Sequence, residues 1–399
     1  MDRPVVTSWG KALLGLGTLG LALAAGIDAT ANRWRAIDPD RALRVRPGDA
    51  VALTLHQDQR QADGEMNPAR AAAIADVARR ALRSDPLTAP ALRQIAVAEG
   101  MAGRHRAADG LVHLSYNLTR RELGTEWLLI EAALDRGDAA AVARHFDEAL
   151  TTTPLAGEVL YPALSAALFD PGMRAALVPY VRQSRRWMPY LIRYALAEGD
   201  AGGHVGALVV AAGGLPPSPI YADLDQRILA GVAAKGEFGT AGAYLRGMRA
   251  GGIATDPGFS AATTDTRFGP FAWSLADQQT VSGRRDESGR LQVRISTARP
   301  EKVAIRTLVL PAGRYRFSQK VEAPDEDIVA AAKWEMRCLP EDRPIWSLEL
   351  PVRRTSSHYA GQIEIPAGCT GQQLALVVAG RGDQEDAEII VDSLELVRQ

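Results

Sequence analysis

Six histidines, His56, His105, His113, His145, His204 and His358, have the widest chemical repertoire in this chain, and their spacing gives them little to do together. No H-E-x-x-H, C-x-x-C, P-loop or G-x-S-x-G pattern occurs, so the usual signatures of a zinc hydrolase, a phosphate cradle and a serine nucleophile are missing. His105 and His113 are spaced to share a helix face, but no third ligand accompanies them. Carboxylates gather at Asp383, Glu385, Asp386 and Glu388 and at Asp325-Glu326-Asp327. Oxygen ligands of this kind suit calcium, and solvated loops have the same composition. No catalytic, metal or cofactor-binding residue is assigned on these grounds, and the expectation is a protein that is not an enzyme and needs no cofactor.

Binding chemistry has better candidates. Arg120 and Arg121, and Arg182, Arg185 and Arg186 next to Trp187, would suit an anionic ligand; solvated helix faces and helix C-terminal charges look the same in sequence. Tyr359 follows the polar run Arg353-Arg354-Thr355-Ser356-Ser357-His358 and is the best candidate for an exposed aromatic, with ordinary packing as the alternative. Trp273, Trp334 and Trp346 read instead as core. The two cysteines, Cys338 and Cys369, both fall near the C-terminus. In an exported protein such a pair is expected to bond; the alternative is two buried thiols.

The elements that must position these residues come in three parts: an N-terminal membrane helix, an α-solenoid and an antiparallel β-sandwich. The 399 residues suffice for two or three domains, and a net charge of −1 gives no general attraction to nucleic acid, so no nucleic-acid partner is expected. Residues 1–36 form an anchor or signal segment. Ala12 to Ile27 carries no charge, and extension back to Val5 gives the length of a membrane span, so residues 5–27 are expected to enter the inner membrane. Arg3, Lys11 and the Ala29-Thr30-Ala31 pattern support the alternative of a cleaved signal peptide. Either way the bulk of the chain is expected in the periplasm. The string Gly15-Leu16-Gly17-Thr18-Leu19-Gly20 fits a dinucleotide fingerprint by letter, but it lies inside this apolar segment and lacks the preceding strand.

Residues 37–260 have helical spacing with an internal period. Gly103-Arg104-His105-Arg106-Ala107-Ala108 and Gly137-Asp138-Ala139-Ala140-Ala141-Val142 are offset by 34, and Ala81, Ser115 and Ala149 share a phase. Pro86 and Pro154 differ by twice that interval. A glycine turn, a small close-packing residue and a terminal proline at this period resemble the tetratricopeptide repeat. The usual Trp-Leu-Gly-Tyr set is absent, and Arg120 stands where proline is expected. The resemblance implies a groove that holds a protein partner.

Residues 250–266 read as a linker, and beyond them the rhythm alternates. Tyr315, Phe317 and Val321 fall on one face of a strand, and Ala332, Trp334, Met336 and Cys338 on one face of another. Nine short strands are expected within residues 267–399. Leu310-Pro311-Ala312-Gly313-Arg314-Tyr315-Arg316-Phe317 and the closing Ile389-Ile390-Val391-Asp392-Ser393-Leu394-Glu395-Leu396 resemble the galactose-binding-like jelly rolls of many carbohydrate-binding modules. That resemblance implies a β-domain able to hold polysaccharide. The whole arrangement is similar to accessory proteins of bacterial envelope polysaccharides. The function expected is a membrane-anchored periplasmic scaffold assisting envelope or exopolysaccharide assembly or export. The alternatives are a polysaccharide-modifying envelope enzyme and a cytosol-facing membrane adaptor.

Overall fold

The computed structural model describes residues 8–62, 65–153, 155–198, 201–324, 329–350, 353–381 and 387–399. The acidic positions Asp325–Asp327, Asp383, Glu385 and Asp386, the repeat position Pro154 and the N-terminal residues up to Thr7 lie outside them. The chain divides into two compact units, Met1–Ala156 and Gly157–Gln399.

The first unit is helical: α1 (Ser8–Trp34), α2 (Pro39–Val45), α3 (Ala50–Ala62), α4 (Pro68–Ser84), α5 (Ala89–Met101), α6 (His105–Leu118), α7 (Leu123–Asp135) and α8 (Ala139–Thr152). The N-terminal expectation needs correction. The segment is a helix, but no helix among the described residues is long and apolar enough to cross a membrane. Four glycines and Thr18 dilute the apolar stretch of α1, and Asp28 ends it.

Buried polar capping locks the entry to α3. Asp49 accepts the Ala52 N–H at 2.9 Å and pairs with Arg35 at 2.7 Å. Burial alone would raise the Asp49 carboxyl; the Arg35 guanidinium and the Ala52 N–H outweigh it and hold the group below its ordinary value. A depressed carboxyl contributes stability that is present above about pH 4, where unfolded aspartate ionises, and is lost as pH falls through the lower folded value. Asp49→Asn is therefore expected to cost about 2 kcal/mol at pH 7 in urea unfolding. The gap from wild type should close below about pH 4.

Helix pairs then repeat. α5 turns into α6 through Gly103 (φ +75°), and α7 into α8 through Gly137 (φ +67°), a left-handed conformation that glycine adopts without strain. Ala81, Ser115 and Ala149 are fully buried, where small side chains let neighbouring helices approach. The Ser115 hydroxyl donates to the Ala89 carbonyl at 3.0 Å and lies 2.7 Å from that of Thr125.

The second unit opens with α9 (Ala156–Ala167), α10 (Pro171–Arg182), α11 (Met188–Glu198), α12 (Gly202–Ala212), α13 (Leu224–Ala234) and α14 (Phe238–Gly247). Ten strands follow among the described residues: β1 (Ser274–Leu275), β2 (Val281–Arg285), β3 (Leu291–Ile295), β4 (Glu301–Leu308), β5 (Gly313–Glu322), β6 (Val329–Leu339), β7 (Arg343–Glu349), β8 (Ser357–Ile365), β9 (Gly371–Gly380) and β10 (Ala387–Arg398). They form two five-stranded antiparallel sheets, ordered β1-β4-β9-β6-β7 and β2-β3-β10-β5-β8. Their inner faces share one core around Trp334, Phe317, Met336, Leu376 and Ile389. Alternation drives this: Tyr315, Phe317 and Val321 are buried while Arg314, Arg316 and Lys320 are not. Each large apolar side chain so buried contributes about 1.5–3 kcal/mol. The Trp334 indole N–H donates to the Oε1 of buried Gln319 at 2.7 Å, while the Gln319 amide nitrogen is buried without a partner.

The expected linker at 250–266 is packed structure. Phe259 stacks on Trp273 with ring centroids 4.6 Å apart, and the Trp273 indole donates to the Gly258 carbonyl at 3.0 Å. The Arg306 guanidinium of β4 reaches the carbonyls of Ile253, Asp256 and Phe271. Gly, Thr and Asp suit a mobile tether and a turn-rich packed segment equally, so composition did not separate the two. Phe238, at the start of α14, lies against Gly371 so closely that a Cβ there would stand 2.5 Å from its ring. The boundary expected near residue 260 thus falls inside the second unit, where helices and sandwich share buried contacts.

Candidate functional site

Arg120 and Arg121 are exposed in the turn between α6 and α7, and their carbonyls accept from Thr152 and Thr153 at 2.9 and 3.3 Å. Arg120 also lies over the Tyr116 ring, 5.4 Å from its centroid. Arg185 is half-buried and Arg186 exposed, both in the second unit between α10 and α11. Arg182 donates to the carbonyls of Ala211 and Ala212 at the end of α12, the role of a helix C-terminal charge. Tyr359 is half-buried and packs against the sandwich core, sharing the inward phase of β8 with Ile363 and Ile365. Cys338 and Cys369 are bonded to each other, with Cα atoms 5.6 Å apart.

The outer face of the first sheet carries a shaped, accessible surface. Lys302, Val377, Lys333 and Glu349 lie in register across β4, β9, β6 and β7. The next rung runs from Ile305 through Ala375 and Glu335 to Ser347. At about 4.8 Å between strands, each row spans roughly 14 Å. Two adjoining hollows share Lys333 and Glu335. One, of about 400 Å³, lies over Val377 and Ala379 between Lys302 and Glu349. The other, of about 270 Å³, continues to Arg337, Pro344 and Ile345. The Lys333 ammonium lies 2.7 Å from Glu335, which raises its pKa above the ordinary lysine value. Lys302 donates to Gln373 at 3.2 Å. The result is a shallow trough with a floor of small apolar side chains and rims that both donate and accept hydrogen bonds.

The first unit has its own hollow, about 470 Å³, between α5, α6 and α7. His105 and His113 both line it, so the face they share opens onto this groove, together with Met101, Asp109, Leu128 and Arg136.

Sequence reasoning passed over one further cluster. Glu126 on α7 and His145 and Glu148 on α8 bring their ligand atoms within 4.8 Å of one another. His145 Nδ1 lies 2.9 Å from a Glu126 oxygen, and the Tyr116 hydroxyl donates to Glu148 at 2.7 Å. Burial pushes the Glu126 carboxyl up, against the opposing pull of His145. The available signal was an acidic residue inside the apolar run of α7 together with the His145-x-x-Glu148 spacing.

No protein-family model matches this chain, and no curated protein does. Among solved structures, a family 61 carbohydrate-binding module in complex with β-1,4-galactotriose is similar over 36% of this chain and 99% of its own, at 12% identity and a TM-score of 0.25. A structure described as a family 4 carbohydrate-binding module matches over 32% and 78%, at 12% identity and 0.25. The xylan-binding domain of Xyn10C from Paenibacillus barcinonensis matches over 32% and 85%, at 15% identity and 0.23. Likeness at this level is no basis for a function, and the two-sheet sandwich rests on its own strand order and register.

Proposed function

We propose that this protein is an extracytoplasmic binding protein that holds a polysaccharide on the outer face of the first sheet, without converting it. The observation that carries the reading is the Lys302–Val377–Lys333–Glu349 row. Sugars present hydroxyl edges and a flatter C–H face, and this row offers paired donors and acceptors around a small apolar floor. The groove of α5, α6 and α7 would hold a segment of a protein partner. The 34-residue recurrence and the buried small residues at its phase support reading these helices as a TPR-like array. The Cys338–Cys369 bond supports an oxidising compartment. Exposed Leu19, Leu21 and Leu23 on α1 support attachment at a membrane. A part in assembling or exporting an envelope polysaccharide agrees with these features.

Native electrophoresis of the full chain in gels containing soluble polysaccharides tests the reading. Retardation by at least one polymer is expected. The Lys302→Ala/Lys333→Ala variant should bind about tenfold more weakly, a loss of about 1.4 kcal/mol. Unaltered mobility in every polymer, or a variant retarded as strongly as wild type, would remove the trough from the account. Free thiols at Cys338 and Cys369 in protein trapped directly from cells would favour the cytosol-facing adaptor instead.

A further inference from the structure

We propose that Glu126, His145 and Glu148 form a binding site for a divalent cation of the zinc class, set between α7 and α8. One nitrogen and two carboxylates are a donor set that zinc accepts, at distances of about 2.0–2.2 Å. A tetrahedral ion places its ligand atoms about 3.3 Å apart. The observed separations of His145 Nδ1 from Glu126 and Glu148 oxygens, 2.9 and 4.0 Å, lie on either side of that value.

A second feature, independent of the clustering, points the same way. The Glu126 side chain is 1% exposed, and its Oε1 is buried without a hydrogen-bond partner. An unpaired buried carboxylate oxygen costs several kcal/mol unless a charge or donor meets it, on the order of the penalty for stranding one partner of a buried pair. The protein surroundings account for the neighbouring atoms. Tyr116 donates to Glu148 at 2.7 Å, and the Arg144 guanidinium lies 3.3 Å from His145 Nε2. The Tyr116 ring meets the His145 ring edge-on, with centroids 5.7 Å apart. The Tyr116 hydroxyl orients Glu148 in the way groups around a metal site orient their ligands. Glu148 is the most open of the three and marks the entry side.

The test is a Co²⁺ titration of the chelator-stripped full chain, read by visible absorption and reversed by Zn²⁺. One equivalent of Co²⁺ with a nitrogen–oxygen ligand-field spectrum is expected. Tyr116→Phe, which only orients Glu148, should weaken binding about ten- to a hundredfold; Glu126→Gln and Glu148→Gln should weaken it by more than about a hundredfold. Circular dichroism checks folding, and the partly open Glu148 provides the test if the Glu126 variant does not fold. A featureless titration would overturn the site. So would glutamine variants that bind Co²⁺ like wild type, which would assign the ion to His105 and His113.

Discussion

Replacing Arg306 by methionine should lower the stability of the Gly157–Gln399 unit by about 4 kcal/mol. Arg306 is 1% exposed and lies 5.5 Å from the Trp273 ring centroid. Its guanidinium donates to the carbonyls of Asp256, Ile253 and Phe271 at 2.5, 2.6 and 2.7 Å. Burial brings its pKa down to about 10, with Asp256 opposing, so it stays charged at neutral pH. Methionine fills much of the volume and removes the cost of burying the charge, but strands three carbonyls at about 1–3 kcal/mol each. The net is a loss, because those carbonyls belong to turns with no ladder partner to take over. Urea unfolding followed by tryptophan fluorescence reads the effect. Arg306→Lys should recover less than half of it, because one compact ammonium does not span three acceptors. A methionine variant within about 1 kcal/mol of wild type would mean that segment 250–271 holds to the sandwich without the guanidinium.

Removing the disulfide should cost about 3–4 kcal/mol. The bond closes a loop of 31 residues between the end of β6 and the turn before β9, strands that pair directly. Cross-linking them restricts the unfolded chain more than the folded one. Buried Gln372 reinforces the same corner, donating to the Cys369 carbonyl at 2.8 Å and accepting the Leu310 N–H at 2.8 Å. Cys338→Ala/Cys369→Ala should therefore melt lower than wild type by calorimetry. Reductant should lower the wild-type transition and leave the variant unmoved. Equal melting of the two would show that the ladder and Gln372 suffice.

What the sequence made legible follows from how local each signal is. β5 and β6 announce themselves because one face is buried and the other solvated, which writes a period of two into Tyr315–Val321 and Ala332–Cys338. β2 has no such signature: Val281-Ser282-Gly283-Arg284-Arg285 contains one strong strand former, and pairing with β3 defines it. At Tyr359 two local signals point apart: the polar run before it suggests exposure, while its phase with Ile363 and Ile365 points inward. The trough was illegible for a different reason. Lys302, Lys333, Glu349 and Val377 come from four strands, and only the sheet order β4-β9-β6-β7 puts them in one row. Glu126 and His145 likewise meet through helix packing, 19 positions apart in the chain.

The central claim, that the molecule holds polysaccharide and leaves it intact, is met most directly by equilibrium dialysis of the full chain against a size-defined polymer, with chain length measured before and after. The account predicts saturable retention, weakened in Lys302→Ala/Lys333→Ala, and an unchanged polymer length distribution. Shortened polymer, new reducing or unsaturated ends, or no retention of any polymer would contradict it, the first two in favour of a polysaccharide-modifying enzyme.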